Sequence, residues 1–405
     1  MLIHAGVPVE FEAEPSAPDR SPPTLICFSH LRWNFVFQRP QHLMSRFARD
    51  MPVIYWEEPV DIAPAETAYL MVRDADNFPN VTIVVPHLPE GMPDDAREAA
   101  LKRLLDAHIS PRSVPLVAWY YTPMMLPFSK HITPDVTVYD AMDELSKFKF
   151  APEHLLDLEQ ELIESADIVF TGGSSLFEAK KDRHPNVHCF PSSVDRVHFA
   201  KARARLFDPA DQEDLPRPRL GFYGVLDERF DTELLDRVAE LRPSWSFVMV
   251  GPIVKVAPED LPHRPNIHYL GSKAYAELPA YLSGWDVALM PFAMNESTQF
   301  ISPTKTPEYL SGGKPVVSTP IRDVVRHYGQ LEGVQIASNA DEFVAACERA
   351  LELSRNPESG WLAEADLALS ATSWDTTQAR MAGLVAGLLG TRTPSSASAL
   401  LVAAE

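Results

Sequence analysis

The sequence predicts an α/β protein built as two doubly wound parallel sheets in series, with a central cleft between them. Three observations carry that prediction. Short apolar, β-branched runs alternate with helical stretches, the pattern a parallel sheet requires. The alternation runs through twice, interrupted by the proline- and acid-rich stretch Phe207-Asp-Pro-Ala-Asp-Gln-Glu-Asp-Leu-Pro-Arg-Pro218. A length of 405 residues also exceeds what one ordinary core holds.

In the first series, strands are expected at Leu25–Ser29, Val53–Trp56, Val81–Val85, Leu116–Tyr120, Val136–Tyr139, Ile168–Thr171 and Val187–Phe190. Helices are expected between them at Arg39–Arg49, Ala96–His108 and Glu153–Ser165. The second series places strands at Arg219–Tyr223, Phe247–Val250, Ile267–Leu270, Val287–Met290, Val316–Ser318 and Val334–Ala337. Its helices include Thr232–Leu241, Leu278–Ser283 and Ala340–Ser354. The expected organisation is a flexible leader over 1–23, a Rossmann-like domain over 24–206 and a linker over 207–218. A second Rossmann-like domain covers 219–372, an amphipathic helix 373–390 and a small-residue tail 391–405.

Composition narrows the function. Against 36 Lys+Arg stand 56 Asp+Glu, a formal net charge of −20 that disfavours general affinity for nucleic acid or anionic lipid. Cys27, Cys189 and Cys347 are scattered, with no metal-ligand spacing, which fits a reducing cytoplasm. Neither a secretory leader nor a membrane-length apolar run is present, so a cytoplasmic protein is expected, with peripheral contact to the inner membrane face left open.

The richest motif is Ser302-Pro-Thr-Lys-Thr-Pro-Glu-Tyr-Leu-Ser-Gly-Gly-Lys-Pro-Val-Val-Ser318, a polar loop, a short helix and a buried strand in succession. A helix N-terminus there would attract phosphate to Ser302, Thr304 and Lys305, and Glu308 would accept hydrogen bonds from ribose hydroxyls. Gly224-Val-Leu-Asp-Glu-Arg-Phe-Asp231 follows a strand, and its Arg229 suits a diphosphate, although pairing with Asp227 or Asp231 is an equal alternative. After the first strand no G-x-G-x-x-G occurs. That loop offers His30, Arg32, Trp33, Arg39 and Gln41, a mixture suited to a sugar or phosphate. Tyr139-Asp-Ala-Met-Asp-Glu144 gathers three carboxylates where Asp140 or Asp143 would act as a general base, with helix capping the alternative.

Four segments together resemble the GT-B glycosyltransferases, the nucleotide-sugar-dependent group that includes family 4, and more closely its teichuronic-acid-type bacterial members. They are Ala166-Asp-Ile-Val-Phe-Thr-Gly-Gly-Ser-Ser-Leu176, Phe190-Pro-Ser-Ser-Val-Asp-Arg-Val-His-Phe199, Asn266 through Pro291, and Lys305 through Ser318. The resemblance implies a second domain that binds a UDP- or GDP-linked sugar, a first domain that binds a glycan or lipid-linked acceptor, and a last helix that crosses back to the first domain. It gives Glu308 the ribose, Gly271 and Ser272 the turn at the base, and Gly224 the start of the phosphate loop. Position 300, where the family's first paired glutamate stands, is Phe300, with Glu296 as a substitute from a longer loop. No metal and no resident cofactor are expected, Lys305 and Arg229 supplying the charge that stabilises the leaving diphosphate. Rival readings are a nucleotide-sugar 2-epimerase and a non-catalytic glycan-binding protein of the same fold.

Overall fold

The computed structural model describes residues 21–392 apart from 111, 112 and 205, so nearly all of the expected leader and tail lie outside the described residues. The first sheet contains β1 (Thr24–Ser29), β2 (Val53–Glu57), β3 (Val60–Ile62), β4 (Tyr69–Asp74), β5 (Val81–Pro89), β6 (Leu116–Tyr120), β7 (Val136–Ala141), β8 (Ile168–Thr171) and β9 (Val187–Cys189). Their order is β3-β5-β2-β1-β6-β7-β8-β9, parallel throughout, with β4 added antiparallel to β5. The second sheet contains β10 (Arg219–Tyr223), β11 (Ser246–Val250), β12 (Ile267–Gly271), β13 (Val287–Met290), β14 (Val316–Ser318) and β15 (Val334–Ile336). It runs β12-β11-β10-β13-β14-β15, all parallel.

The apolar runs become strands because helices cover both faces. In β6 the residues Leu-Val-Ala-Trp-Tyr are all buried, as a parallel strand between two layers demands. Both sheets reverse their winding at one strand. In the first, β1 lies between β2 and β6; in the second, β10 lies between β11 and β13. Loops leave these points in opposite directions and open a crevice beyond the carboxyl ends of the strands.

The helix Trp374–Arg392 joins the first domain, not the second. Trp374, Met381 and Val385 are buried in the first sheet's core, and Asp375 accepts from Arg46 at 3.1 Å and Arg49 at 2.6 Å.

Three elements depart from expectation. The strands β3 and β4 went unpredicted because they sit at an exposed edge, where Tyr69, Met71 and Val72 face outward and no burial alternation develops. Residues 207–218 are no free linker: Asp208 accepts from Arg219 at 2.7 Å and the Gln212 carbonyl from the Trp285 indole at 2.8 Å. The polarity that suggested a linker instead satisfies groups buried in the second domain. Val194, Phe199 and Ala202 belong to that same core, so the chain leaves the first domain before residue 194, ahead of the expected 206.

Candidate active site

The crevice between the two sheets is a cavity of about 420 Å³ lined from both domains. The second-domain wall starts from two glycines. Gly224 and Gly251 end β10 and β11 with φ of +146° and +141°, and each lies under a neighbour. A Cβ on Gly251 would stand 1.8 Å from the Gly224 carbonyl oxygen, and one on Gly224 would stand 2.3 Å from Lys305 Cε. Only glycine therefore lets the Lys305 side chain lie across the backbone at Gly224.

Lys305 opens the helix Lys305–Ser311 and holds its Nζ over the rings of Phe222 and Phe292, at 5.7 and 5.9 Å. Among the described residues no carboxylate forms an ion pair with it. Burial lowers its pKa, Glu308 opposing that shift. One turn on, Glu308 accepts from Tyr223 Oη at 2.9 Å, and burial pushes its carboxyl up to about 7. The helix has only seven residues, so Lys305 outweighs its dipole as the source of positive potential. Arg229 completes this wall. Its guanidinium grips Asp227 with contacts of 3.0, 3.2 and 2.6 Å, and the Phe148 ring from the first domain lies 5.3 Å from its Cζ. The alternative of a pairing with Asp227 is thus realised, in an arginine that still faces the cavity.

Ser272, Ser302 and Thr304 line the cavity, whereas Gly271 stands behind it. Glu296 does not replace the missing glutamate: it is exposed, does not line the cavity and pairs with Lys147 of the first domain at 3.2 Å. Phe300 packs against the first domain's core.

On the first-domain wall, of the five expected residues only Trp33 and Arg39 line the cavity. Arg32 is drawn away to Glu57 at 3.0 Å and the Glu58 carbonyl at 2.7 Å. Gln41 is buried in the helix Arg39–Phe47, where its amide accepts from Gln38 N–H and donates to the Trp33 carbonyl. Burial, with Lys255 nearby, lowers His30 to about 4. Asp140 cannot serve as a base in this arrangement. It is fully buried and binds Arg39 at 2.8, 3.0 and 3.1 Å, an ion pair that fixes the loop after β1 to the end of β7. Asp143 does face the cavity, and burial lifts its carboxyl to about 6 against the pull of Arg229 and Lys305.

Sequence reasoning missed Tyr223, whose phenol orients Glu308, and Phe148, which reaches across to Arg229; nothing in their local spacing announces either contact. It also passed over an Asp-x-Asp triplet, Asp74-Ala75-Asp76. Asp76 lines the cavity, and among the described residues no group of three or more His, Cys, Asp or Glu is placed to hold a metal ion.

Two facing Rossmann-like domains, a crevice between their strand ends and a returning last helix define the GT-B class, and the solved structures agree. The chain is similar to sucrose-phosphate synthase from Thermosynechococcus elongatus, with a TM-score of 0.65 and 16% identity, covering 91% of this chain and 100% of that one. It is similar also to an E. coli trehalose-6-phosphate structure bound with UDP-2-fluoro glucose, with a TM-score of 0.64, 13% identity and coverage of 90% and 99%. Residues 217–353 match the family described as glycosyl transferases group 1. Over 257 residues the chain is 26% identical to the teichuronic acid biosynthesis glycosyltransferase TuaH of Bacillus subtilis (strain 168), a match covering 58% of this chain and 63% of that protein. The chain thus spans less than two thirds of that relative. The resemblance to teichuronic-acid-type GT-B glycosyltransferases is borne out.

Proposed function

We propose that this chain is a glycosyltransferase that moves a sugar from a nucleotide diphosphate donor to a hydroxyl of a glycan or lipid-linked acceptor in cell-surface polysaccharide synthesis. One observation carries the reading: Gly224, Arg229, Lys305 and Glu308 converge on one wall of the cleft, opposite the carboxylate of Asp143. Its similarity to a structure bound with UDP-2-fluoro glucose and to TuaH supports the choice of donor and pathway.

In this reading the diphosphate lies against Lys305 and Arg229, with Gly224 allowing close backbone approach. A cation already desolvated by burial stabilises developing negative charge on the leaving phosphate without reorganising solvent. The charge is assigned to these two side chains, and no metal is required. Glu308, held by Tyr223, meets the ribose, and Ser272 lies at the base. Asp143 is the group placed to take the acceptor proton if the reaction inverts, and a carboxylate with a pKa near 6 is ionised at neutral pH while retaining basicity. If configuration is retained, the departing phosphate takes that role. The absence of a membrane-spanning helix among the described residues is consistent with cytoplasmic work, in contact with lipid-linked substrate at the membrane surface.

Phe300, partly buried against the first domain's core where the first glutamate was expected, favours one rival reading, a glycan-binding protein without turnover. Chromatography of nucleotide sugars incubated with the protein and candidate glycans separates the cases. A glycosylated acceptor plus nucleoside diphosphate supports the transferase. An epimer plus free nucleotide, or an untouched donor across the panel, would sink it.

A further inference from the structure

The two cleft walls differ in charge, and the difference bears on the acceptor. The donor wall carries Lys305. The cation at the cavity on the opposite wall, among the described residues, is Arg39, and its charge is already paired: three contacts of 2.8 to 3.1 Å reach Asp140, a fourth of 2.7 Å reaches the Phe190 carbonyl, and the residue is 3% exposed. What this wall presents is apolar and acidic. Phe35 is 47% exposed, Phe37 stands beside it, and Asp76 and Asp143 supply carboxylates. Phe37 is itself fixed from both sides, stacked on Phe78 at 5.7 Å and tilted against Tyr275 of the second domain at 4.7 Å.

A phosphate or carboxylate placed here would lose hydration while facing like charge, with no free cation among the described residues of that wall to compensate. A sugar ring has the complementary character: its C–H face suits an aromatic surface, and its hydroxyls donate to carboxylates.

We propose that the accepting unit is an uncharged sugar, its C–H face on Phe35, which Phe37 and its ring partners back, and its hydroxyls toward Asp76 and Asp143. This rests on the reading of the opposite wall as the nucleotide site. Sugar phosphates and uronic acids are thereby disfavoured as direct acceptors, whatever charge the remainder of a glycan carries.

The test uses the full chain loaded with whichever of UDP, GDP or ADP it binds. Calorimetric titrations follow with methyl glycosides of glucose, galactose, mannose and N-acetylglucosamine, and with the matching sugar 6-phosphates. At least one methyl glycoside should bind, with its 6-phosphate about tenfold or more weaker, the direction that the carboxylates of this wall dictate. Phe35→Ala should weaken the glycoside with nucleotide affinity unchanged, and Asp76→Lys should narrow the ratio. Equal or tighter binding of the 6-phosphates, or no glycoside binding by nucleotide-loaded protein, overturns the inference. Failure of every nucleotide to bind overturns the donor reading itself and this inference with it.

Discussion

Gly224 shows how much of the site depends on single residues. Its φ of +146° and the 2.3 Å approach of Lys305 Cε leave no room for a side chain. Gly224→Val should therefore displace Lys305 and lower nucleotide affinity, at a cost to the fold of about 1–3 kcal/mol; calorimetry and urea unfolding read the two effects separately. Asp143 and Glu308 add a pH signature. Their carboxyls stand at about 6 and about 7, above the unfolded values, so the unfolded chain gives up these protons first. The stability they contribute is present below about pH 4 and lost as pH rises through 6 and then 7. Asp143→Asn should therefore gain on the wild type in nucleotide-free unfolding between about pH 4.5 and pH 8, by an amount on the order of 1 kcal/mol. A constant difference would show that Asp143 titrates normally. In turnover the same variant should lose about 10² to 10⁴-fold in kcat with little change in donor KM, provided the reaction inverts. At this scale the grouping of Lys305 with Glu308 at the cavity was legible because the two are near neighbours in sequence. Asp140 and Asp143 could not be told apart, because the partner that removes Asp140 is Arg39, far away in the chain.

At the scale of elements, strands were legible wherever both faces are covered, since a buried parallel strand must be continuously apolar. The edge strands β3 and β4 escaped for the converse reason. The stretch 207–218 was misread because linkers and ion-paired surface segments share a polar composition, and only the fold shows that Asp208 and Gln212 have fixed partners. Contacts between elements of the two domains were likewise invisible. Asp323, in the helix Arg322–Tyr328 of the second domain, accepts from the Ser174 and Ser175 backbone N–H groups at 2.7 and 3.0 Å, and from Ser175 Oγ at 2.6 Å. It is buried, so Asp323→Ala would strand these donors. The expected loss is about 1–3 kcal/mol, measured by urea unfolding, together with looser association of the domains seen as a larger radius in small-angle scattering. An unchanged radius would assign Asp323 a purely local role.

The whole molecule holds an acidic chain of net charge −20 around a cleft whose second-domain wall carries Lys305 and Arg229. Net charge disfavoured general affinity for nucleic acid or anionic lipid but gave no sign of this pocket, because a desolvated lysine acts locally while distant exposed carboxylates are screened by water and salt. Both sheets reverse at β1 and β10, and the crevice follows from topology before any side chain is considered. The claim that this crevice is a nucleotide-diphosphate-sugar site is tested most directly by calorimetric titration of the full chain with UDP, GDP and ADP and their sugar conjugates, beside Lys305→Ala and Glu308→Ala. Saturable binding of one nucleotide family, weakened by about 1.5–3 kcal/mol in Lys305→Ala and reduced in Glu308→Ala, is the predicted result; binding that neither substitution alters, or none by any nucleotide, would contradict it.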